Sequence, residues 1–274
     1  MAGMTDRHAT ATASASPAQR KPFSMGWQQR TVLLALLAYC AWALASMGVN
    51  SERLANGWSA AAKFIGMMFP PQMGKMDELW QGLKETMQIA VLSTAVGIVL
   101  SLPVGLMSAS NMSPAPLRAF GRGLIAVCRA LHPVISAILF VKAVGFGPLA
   151  GILALVVATV GFVGKLFADA IEEISPKPIE AIKATGASFM NVVLFGVLPQ
   201  VISRFVGFAT YQLDSNLRNS TMVGIVGAGG IGGVLFAAFL RYEYNFVCTI
   251  LAAVIAIIVA GELIVNAVRK ALHV

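Results

Sequence analysis

The chain alternates between long apolar stretches and short polar segments along most of its length. Uncharged runs cover residues 31–49, 86–117 and 245–261. A helix of about 20 apolar residues crosses a bilayer, so such runs predict transmembrane helices. We predict an all-α polytopic membrane protein with about six transmembrane helices. These are placed at 31–49, 84–108, 123–143, 147–168, 192–214 and 245–267.

The polar segments divide the chain into four parts. Residues 1–30 are polar and basic, and we predict that they form a disordered cytoplasmic tail. The first transmembrane helix follows at 31–49, and a periplasmic or interfacial segment at 50–80. Residues 81–270 form the main membrane domain, in which the glycine-rich piece 221–240 is too interrupted for a plain span.

Composition and charge support this interpretation. Only 12% of the residues are charged and 57% are hydrophobic. Soluble domains carry about 25% charged residues, so the surface of this chain must face an apolar medium. The net charge of +8 comes from basic residues at the ends of spans, which argues against nucleic-acid binding. Lysine and arginine mark cytoplasmic loops, and we therefore expect both termini in the cytoplasm. The basic residues of the expected inner segments beyond the tail are Arg118, Arg122, Lys177, Lys183, Arg269 and Lys270.

Two patterns resemble nucleotide-binding motifs but lack the required context. The G-x-G-x-x-G spacing that starts at Gly227 lies between spans, and the first acid after it, Glu243, comes too early. Lys165 follows a glycine as in a P-loop, but Leu166 stands where a serine or threonine is required. The three cysteines lack metal-ligand spacing and are interpreted as packing residues.

A polar segment at 172–190 joins two predicted spans and is longer than a plain turn requires. Pro176 suits the first turn of a helix, and Gly186 suits its end, since glycine adopts the left-handed conformation there. Ile179 and Ile182 give the segment an apolar side. We therefore predict a short helix across the cytoplasmic face of the membrane, with a connector that binds no partner as the alternative.

Five residues of this region resemble a known family. Glu180, Ala181, Ala184 and Gly186, followed by Pro199, resemble the EAA loop of ABC importer permeases. In that family the loop forms a coupling helix that docks on the ATP-hydrolysing subunit. The resemblance therefore implies that these five residues couple the chain to an ATPase. One alanine of the family pattern is replaced by lysine here.

The stretches 144–151 and 211–232 resemble the phosphonate (PhnE-like) branch of these permeases. The resemblance covers roughly residues 80–270 and implies a type I ABC importer permease in the bacterial inner membrane, acting as a homodimer. It further implies an ABC ATPase dimer that holds ATP and magnesium, and a periplasmic or lipid-anchored substrate-binding protein. The chain itself is expected to hold no cofactor and no ATP site. The implied cargo is phosphonate, phosphite or hypophosphite.

Charged side chains inside the predicted spans are costly to bury, so each requires an explanation. Arg129 and His132 are three residues apart and are expected on one helix face, and Arg204 lies in the fifth span. Two roles remain possible for these charged side chains: contact with the transported anion, or ion pairing between helices. The full candidate pathway set is Arg129, His132, Arg204, Asp214, Asn216, Arg218, Gly227, Gly229 and Gly230.

Other functions stay open at this point. A membrane-embedded enzyme would need clustered carboxylates or histidines that face a cavity. A simple channel would not need the 172–190 segment. An ABC permease for another small solute would share that segment and differ only in its cargo.

Overall fold

The computed structural model describes residues 26–48 and 51–271, apart from the side chains of Ser51, Arg53, Leu54 and Ala271. Every regular element in these residues is a helix, which confirms the all-α prediction. Residues 1–25 of the predicted disordered tail lie outside the described residues. The helices are α1 (Trp27–Ser46), α2 (Ser51–Met67), α3 (Met76–Ser108), α4 (Ala115–Ala130), α5 (Pro133–Val144), α6 (Pro148–Glu172), α7 (Pro176–Ala184), α8 (Phe189–Asn191), a π-helical segment (Val192–Val197), α9 (Leu198–Ile225), α10 (Ile231–Leu240) and α11 (Tyr244–Ala271).

Five helical stretches in the described residues are long and apolar enough to cross a membrane. A sixth span arises if α4 and α5 count as one broken span, because they meet at an angle of 92°. The prediction of about six spans is confirmed in this sense. The glycine-rich piece 221–240 is interrupted, as the sequence indicated: it contains the last residues of α9, a loop and α10, a helix of 10 residues.

The structure corrects the third predicted span, at 123–143. α4 ends at Ala130, and Leu131 and His132 are extended before α5 begins at Pro133. Proline has no N–H for a helical hydrogen bond and disfavours the helical conformation of the residue before it. Arg129 and His132 therefore do not share a helix face, contrary to the prediction.

Several predicted boundaries also shift. Residues 27–30, assigned to the tail, are the first turn of α1. α3 begins at Met76, inside the segment 50–80 and eight residues before the predicted start of its span at 84. α9 continues to Ile225 rather than ending at 214. In each case the helix extends past the apolar run into polar residues, which apolar length alone does not reveal.

The chain forms two units, Met1–Ala62 and Lys63–Val274. In the second unit, α3 and α6 run parallel and lie close together through small residues. A Cβ at Gly97 would lie 2.5 Å from the Thr159 side chain, and one at Gly105 would lie 2.6 Å from Phe167. Small residues of this kind let two helix backbones approach within a membrane.

α9 runs antiparallel to α3 and α6, and four buried polar side chains join the three helices. Asn216 donates to Thr94 at 2.9 Å and to Thr159 at 3.0 Å. Gln212 donates to Thr159 at 3.2 Å and to Asn216 at 2.9 Å. Because a buried polar group without a partner is costly, this network fixes how the three helices pack.

The bundle of the second unit has two ends that matter for function. The α7 end is formed by the last residues of α3 and α6, the first residues of α4 and α9, and α7. The glycine end lies opposite and contains the loops 145–147 and 226–230, which precede α6 and α10.

Candidate functional site

The short helix α7 packs against the π-helical segment at one end of the bundle. Ile179 is buried and clusters with Ile171, Val192 and Val197. A Cβ at position 196 would lie 3.3 Å from Ile182 Cδ1, so the glycine at this position permits the close approach of α7. The predicted short helix and its apolar side are thus present.

The π-helical segment has a cause in the sequence. Proline at 199 lacks the N–H that would bond to the carbonyl of residue 195 in an α-helix. The N–H of Leu198 donates to Val193, five residues back, as in a π-helical turn. Such wide turns occur often at functional sites. Here the wide turn lies directly beneath α7.

The outer face of α7 is exposed. All five residues expected to couple to an ATPase are exposed: Glu180, Ala181, Ala184, Gly186 and Pro199. Gly186 has φ of +76°, the left-handed conformation predicted for the helix end. The arrangement is a small helix with one face anchored in the bundle and the other available for a partner.

Two arginines from other helices hold the start of the segment that contains α7. Arg122 Nη2 lies 2.7 Å from Glu172 Oε1, and Arg204 Nη1 lies 2.5 Å from Glu173 Oε2. The backbone N–H of Ser110 also donates to Glu172 at 2.7 Å. Adjacent carboxylates therefore connect the end of α6 to α4 and to α9. For Arg204, the structure supports pairing over contact with an anion.

Asp214, Arg218 and Asn216 lie on α9. Arg218 Nη2 is 2.5 Å from Asp214 Oδ2, one helical turn away, so these two form an ion pair. Asn216 is fully buried in the polar network. These contacts give Asn216 a packing role between helices, and its place among the pathway residues stays a prediction.

The structure brings the loops 145–147 and 226–230 together at the glycine end. The N–H of Gly147 donates to the carbonyl of Gly227 at 3.0 Å. A Cβ at Gly229 would lie 2.7 Å from the backbone nitrogen of Pro148. Gly227, Gly229 and Gly230 all have positive φ. Only glycine adopts these conformations readily and leaves room for the facing loop.

Two residues of α3 cap the glycine-rich loop, and the sequence did not point to either. Glu85 Oε2 accepts the N–H of Gly230 at 3.0 Å, and Thr86 Oγ1 accepts the N–H of Ile231 at 2.8 Å. Acceptors at the start of a helix satisfy N–H groups that have no partner within the helix. α3 thus fixes the position of the loop and of α10.

A cavity of about 700 Å³ lies between α4 and α6 at the α7 end. Of the candidate pathway residues, Arg129 lines it. His132 is exposed at the corner between α4 and α5, where its Nδ1 accepts the N–H of Val134 at 3.3 Å. The charged residues that line the cavity are Arg122, Arg129, Lys165, Asp169 and Glu172.

Lys165 and Asp169 are functional candidates that the sequence reasoning missed. The available signal was their spacing with Glu172: positions i, i+4 and i+7 share one face of a helix. Lys165 drew attention only as part of an incomplete P-loop. Without knowing that α4 packs on this face of α6, the sequence gives no reason to group it with Arg129.

Comparison with known proteins gives consistent matches. A family model described as a binding-protein-dependent transport system inner membrane component matches residues 101–273. The phosphite transport system permease protein PtxC of Stutzerimonas stutzeri is 35% identical over 254 residues, which are 90% of this chain and 91% of that protein. The phosphate-import permease protein PhnE of Mycolicibacterium smegmatis is 36% identical over 239 residues. That match covers 86% of this chain but only 45% of the length of the PhnE protein.

A solved structure of the MetNI methionine ABC transporter in an inward-facing conformation matches with a TM-score of 0.64 and 26% identity. The match covers 73% of this chain and 99% of the matched chain.

Proposed function

This chain belongs to the family of inner membrane components of binding-protein-dependent transport systems, and we propose that it is the permease subunit of an ABC importer for phosphorus oxyanions. Its fold is that of type I ABC importer permeases, as the sequence predicted. The proposed cargo is phosphonate, phosphite or hypophosphite, carried into the cytoplasm by ATP hydrolysis on a partner subunit.

α7 is the observation that carries this proposal. Ile179 and Ile182 anchor it to the bundle, and its outer face is exposed between two membrane-spanning stretches. A solute channel has no use for such a helix, whereas a permease without its own ATPase must receive movement from a partner. We assign this face to docking on an ABC ATPase subunit, with ATP and magnesium held by that subunit.

The ion pairs at the start of the segment suggest how movement passes into the membrane. A displacement of α7 would act on Glu172 and Glu173, which hold α4 through Arg122 and α9 through Arg204. In the proposed cycle, two copies of the chain form the pathway between them, and ATP binding opens it to the binding protein. ATP hydrolysis then returns the pathway to a state that is open to the cytoplasm.

The proposed orientation puts the α7 end and both termini in the cytoplasm. Lysine and arginine concentrate in cytoplasmic loops, and this end carries Arg118, Arg122, Lys177 and Lys183. At the opposite end Lys75 and Arg241 lie among acids with which they form ion pairs. The glycine end would then meet the substrate-binding protein in the periplasm.

The names of the relatives and the cationic cavity support the choice of cargo. The two curated relatives described above are named for phosphite and phosphate transport. Arg122, Arg129 and Lys165 line a cavity on the proposed exit side. Arginine and lysine suit tetrahedral oxyanions, because they offer several N–H donors with positive charge.

Uptake by the reconstituted transporter tests the proposal. The chain is reconstituted into proteoliposomes with its ATPase and binding protein, and ATP-dependent uptake of phosphite, methylphosphonate and methionine is measured. We expect uptake of a phosphorus oxyanion and none of methionine, the solute of the matched structure. Uptake of methionine alone would overturn the assignment of cargo while leaving the transport mechanism in place.

A further inference from the structure

The charges of the cavity between α4 and α6 are arranged in two facing rows. Lys165, Asp169 and Glu172 occupy positions i, i+4 and i+7 of α6 and share one face. Arg122 and Arg129, seven residues apart, share one face of α4. All five line the same cavity of about 700 Å³. The cavity therefore holds three cationic and two anionic side chains, an excess of one positive charge.

The two ion pairs in the cavity differ in how firmly they are held. Arg122 binds Glu172 at 2.7 Å and also donates to the carbonyl of Ser108 at 3.2 Å, while Glu172 accepts from Ser110. This pair is tied into the backbone at the end of α3. Lys165 lies 2.5 Å from Asp169 within one helix, and both side chains are about two-fifths exposed. Half-exposed pairs one turn apart are weak, so Lys165 is free to exchange partners.

Arg129 completes the set. Among the described residues it forms no ion pair, and it lines the cavity. A Cβ at Gly161 would lie 3.0 Å from Arg129 Cγ, so the glycine on α6 makes room for the arginine stem. The aliphatic stem is thus held against α6 while the guanidinium remains available.

We propose that this cavity is a release site for the transported oxyanion, in which Arg129 and Lys165 hold the anion and Asp169 competes with it for Lys165. The inference deepens the proposed function and rests on it. A doubly charged tetrahedral anion such as phosphite outcompetes a single carboxylate for Lys165 while Arg129 binds it as well. When the anion leaves, Asp169 takes its place, so the lysine is never left without a partner.

Internal competition of this kind suits transport. Passage requires a site that is favourable enough to enter and weak enough to leave. Asp169 lowers the net affinity for the anion without removing the cations that attract it. Arg122 and Glu172 remain paired and keep the cavity connected to the start of the α7 segment.

Phosphite binding to the purified complex, measured by broadening of the ³¹P resonance without nucleotide, tests the inference. Asp169→Asn should bind phosphite about tenfold more tightly, since a nearby like charge is removed. Lys165→Met and Arg129→Gln should each weaken binding about tenfold, and Lys165→Arg should retain it. Lys84→Met and Asp77→Asn, exposed residues at the other end of α3, are the matched controls and should bind as wild type.

Equal phosphite affinity in the wild type, the Asp169→Asn variant and the Lys165→Met variant would overturn the release site. Absence of binding by the wild-type complex up to tens of millimolar, a range in which weak sites are detected, would do the same. Uptake by the reconstituted wild type separates the two proposals. If phosphite is imported but these variants bind it equally, the release site is wrong and the proposed function stands. If no phosphorus oxyanion is imported, the proposed function itself fails.

Discussion

Arg204 Nη1 lies 2.5 Å from Oε2 of Glu173, which ties α9 to the first residue after α6. The pair stands at the start of the segment that carries α7. It is exposed, and isolated exposed pairs contribute at most about 1 kcal/mol to stability. Its importance in our account is therefore mechanical: it is one of the side-chain links through which α7 can move a membrane-spanning helix.

Charge reversal tests this link. Arg204→Glu places two carboxylates together and should lower the amount of oxyanion transported per ATP hydrolysed by about fivefold, because the link becomes repulsive. Adding Glu173→Arg should restore it. The measurement is parallel transport and ATPase assays on the two single variants and the double variant. Additive losses in the double variant would show that the two residues do not act as a pair.

The network around Asn216 should contribute strongly to stability. Asn216→Leu leaves Thr94, Thr159 and Gln212 short of partners, at a cost of about 1–3 kcal/mol. We expect thermal unfolding in detergent to begin about 5 °C lower. Asn219→Leu is the control, because Asn219 lies one turn away and its side chain, among the described residues, makes one hydrogen bond, to Ser215 at 3.3 Å. A similar shift in both variants would contradict the assigned packing role.

The glycine end should be sensitive to a single methyl group. Gly227 has φ of +89°, and a Cβ there would lie 2.7 Å from Phe146 Cε1. Gly227→Ala should separate the two loops and abolish most uptake while leaving co-purification of the ATPase subunit intact. Gly233→Ala, whose Cβ would have ordinary contacts, is the control and should transport normally. Loss of the ATPase subunit in Gly227→Ala would mean that the two ends of the bundle are not independent.

The pH dependence of stability should report on Glu243, which lies between α10 and α11 outside the spans. A hydrogen bond from Lys75 at 2.5 Å, with the charges of Arg241 and Lys75, holds the pKa of the Glu243 carboxyl below its ordinary value. A lowered pKa in the folded state stabilises the protein above the unfolded-state pKa of about 4.3. This stabilisation is lost as the pH falls through the folded-state pKa.

Thermal unfolding of wild type and Glu243→Gln across pH checks this assignment. The wild type should be the more stable at pH 7. The difference should shrink as the pH falls below the unfolded-state pKa of about 4.3, and it should vanish below the folded-state pKa. Asp77→Asn, an exposed residue near the same end, should show a smaller difference. A difference that is constant with pH would mean that Glu243 contributes through packing rather than charge.

The sequence predicted the helical class and the α7 segment because these depend on local signals. Apolar length identifies spans, and Pro176 with Gly186 marks the two ends of α7. The broken span was missed, since apolar residues dominate on both sides of the break at Leu131 and His132. His132 and Pro133 carried the signal for the break, but proline also occurs inside intact helices such as α3, at Pro103.

The cavity could not be predicted because it depends on which helix faces meet. Lys165 and Arg129 are 36 residues apart and come together only when α4 packs antiparallel on α6 through Gly161. The packing role of Asn216 could not be predicted for the same reason. A motif showed that the residue matters, but only the contacts with Thr94 and Thr159 show that it faces the interior of the bundle.

Co-purification of an ATP-binding subunit with the tagged chain tests the central claim most directly, namely that α7 is the docking helix of a permease. Gly186→Trp puts a bulky residue on the exposed face at a position with φ of +76°. Gly74→Trp, in the exposed loop before α3 at the opposite end, is the matched control. We predict that the subunit is recovered with the wild type and with Gly74→Trp and is lost with Gly186→Trp. Recovery with all three, or with none under conditions that preserve other ABC complexes, would contradict the account.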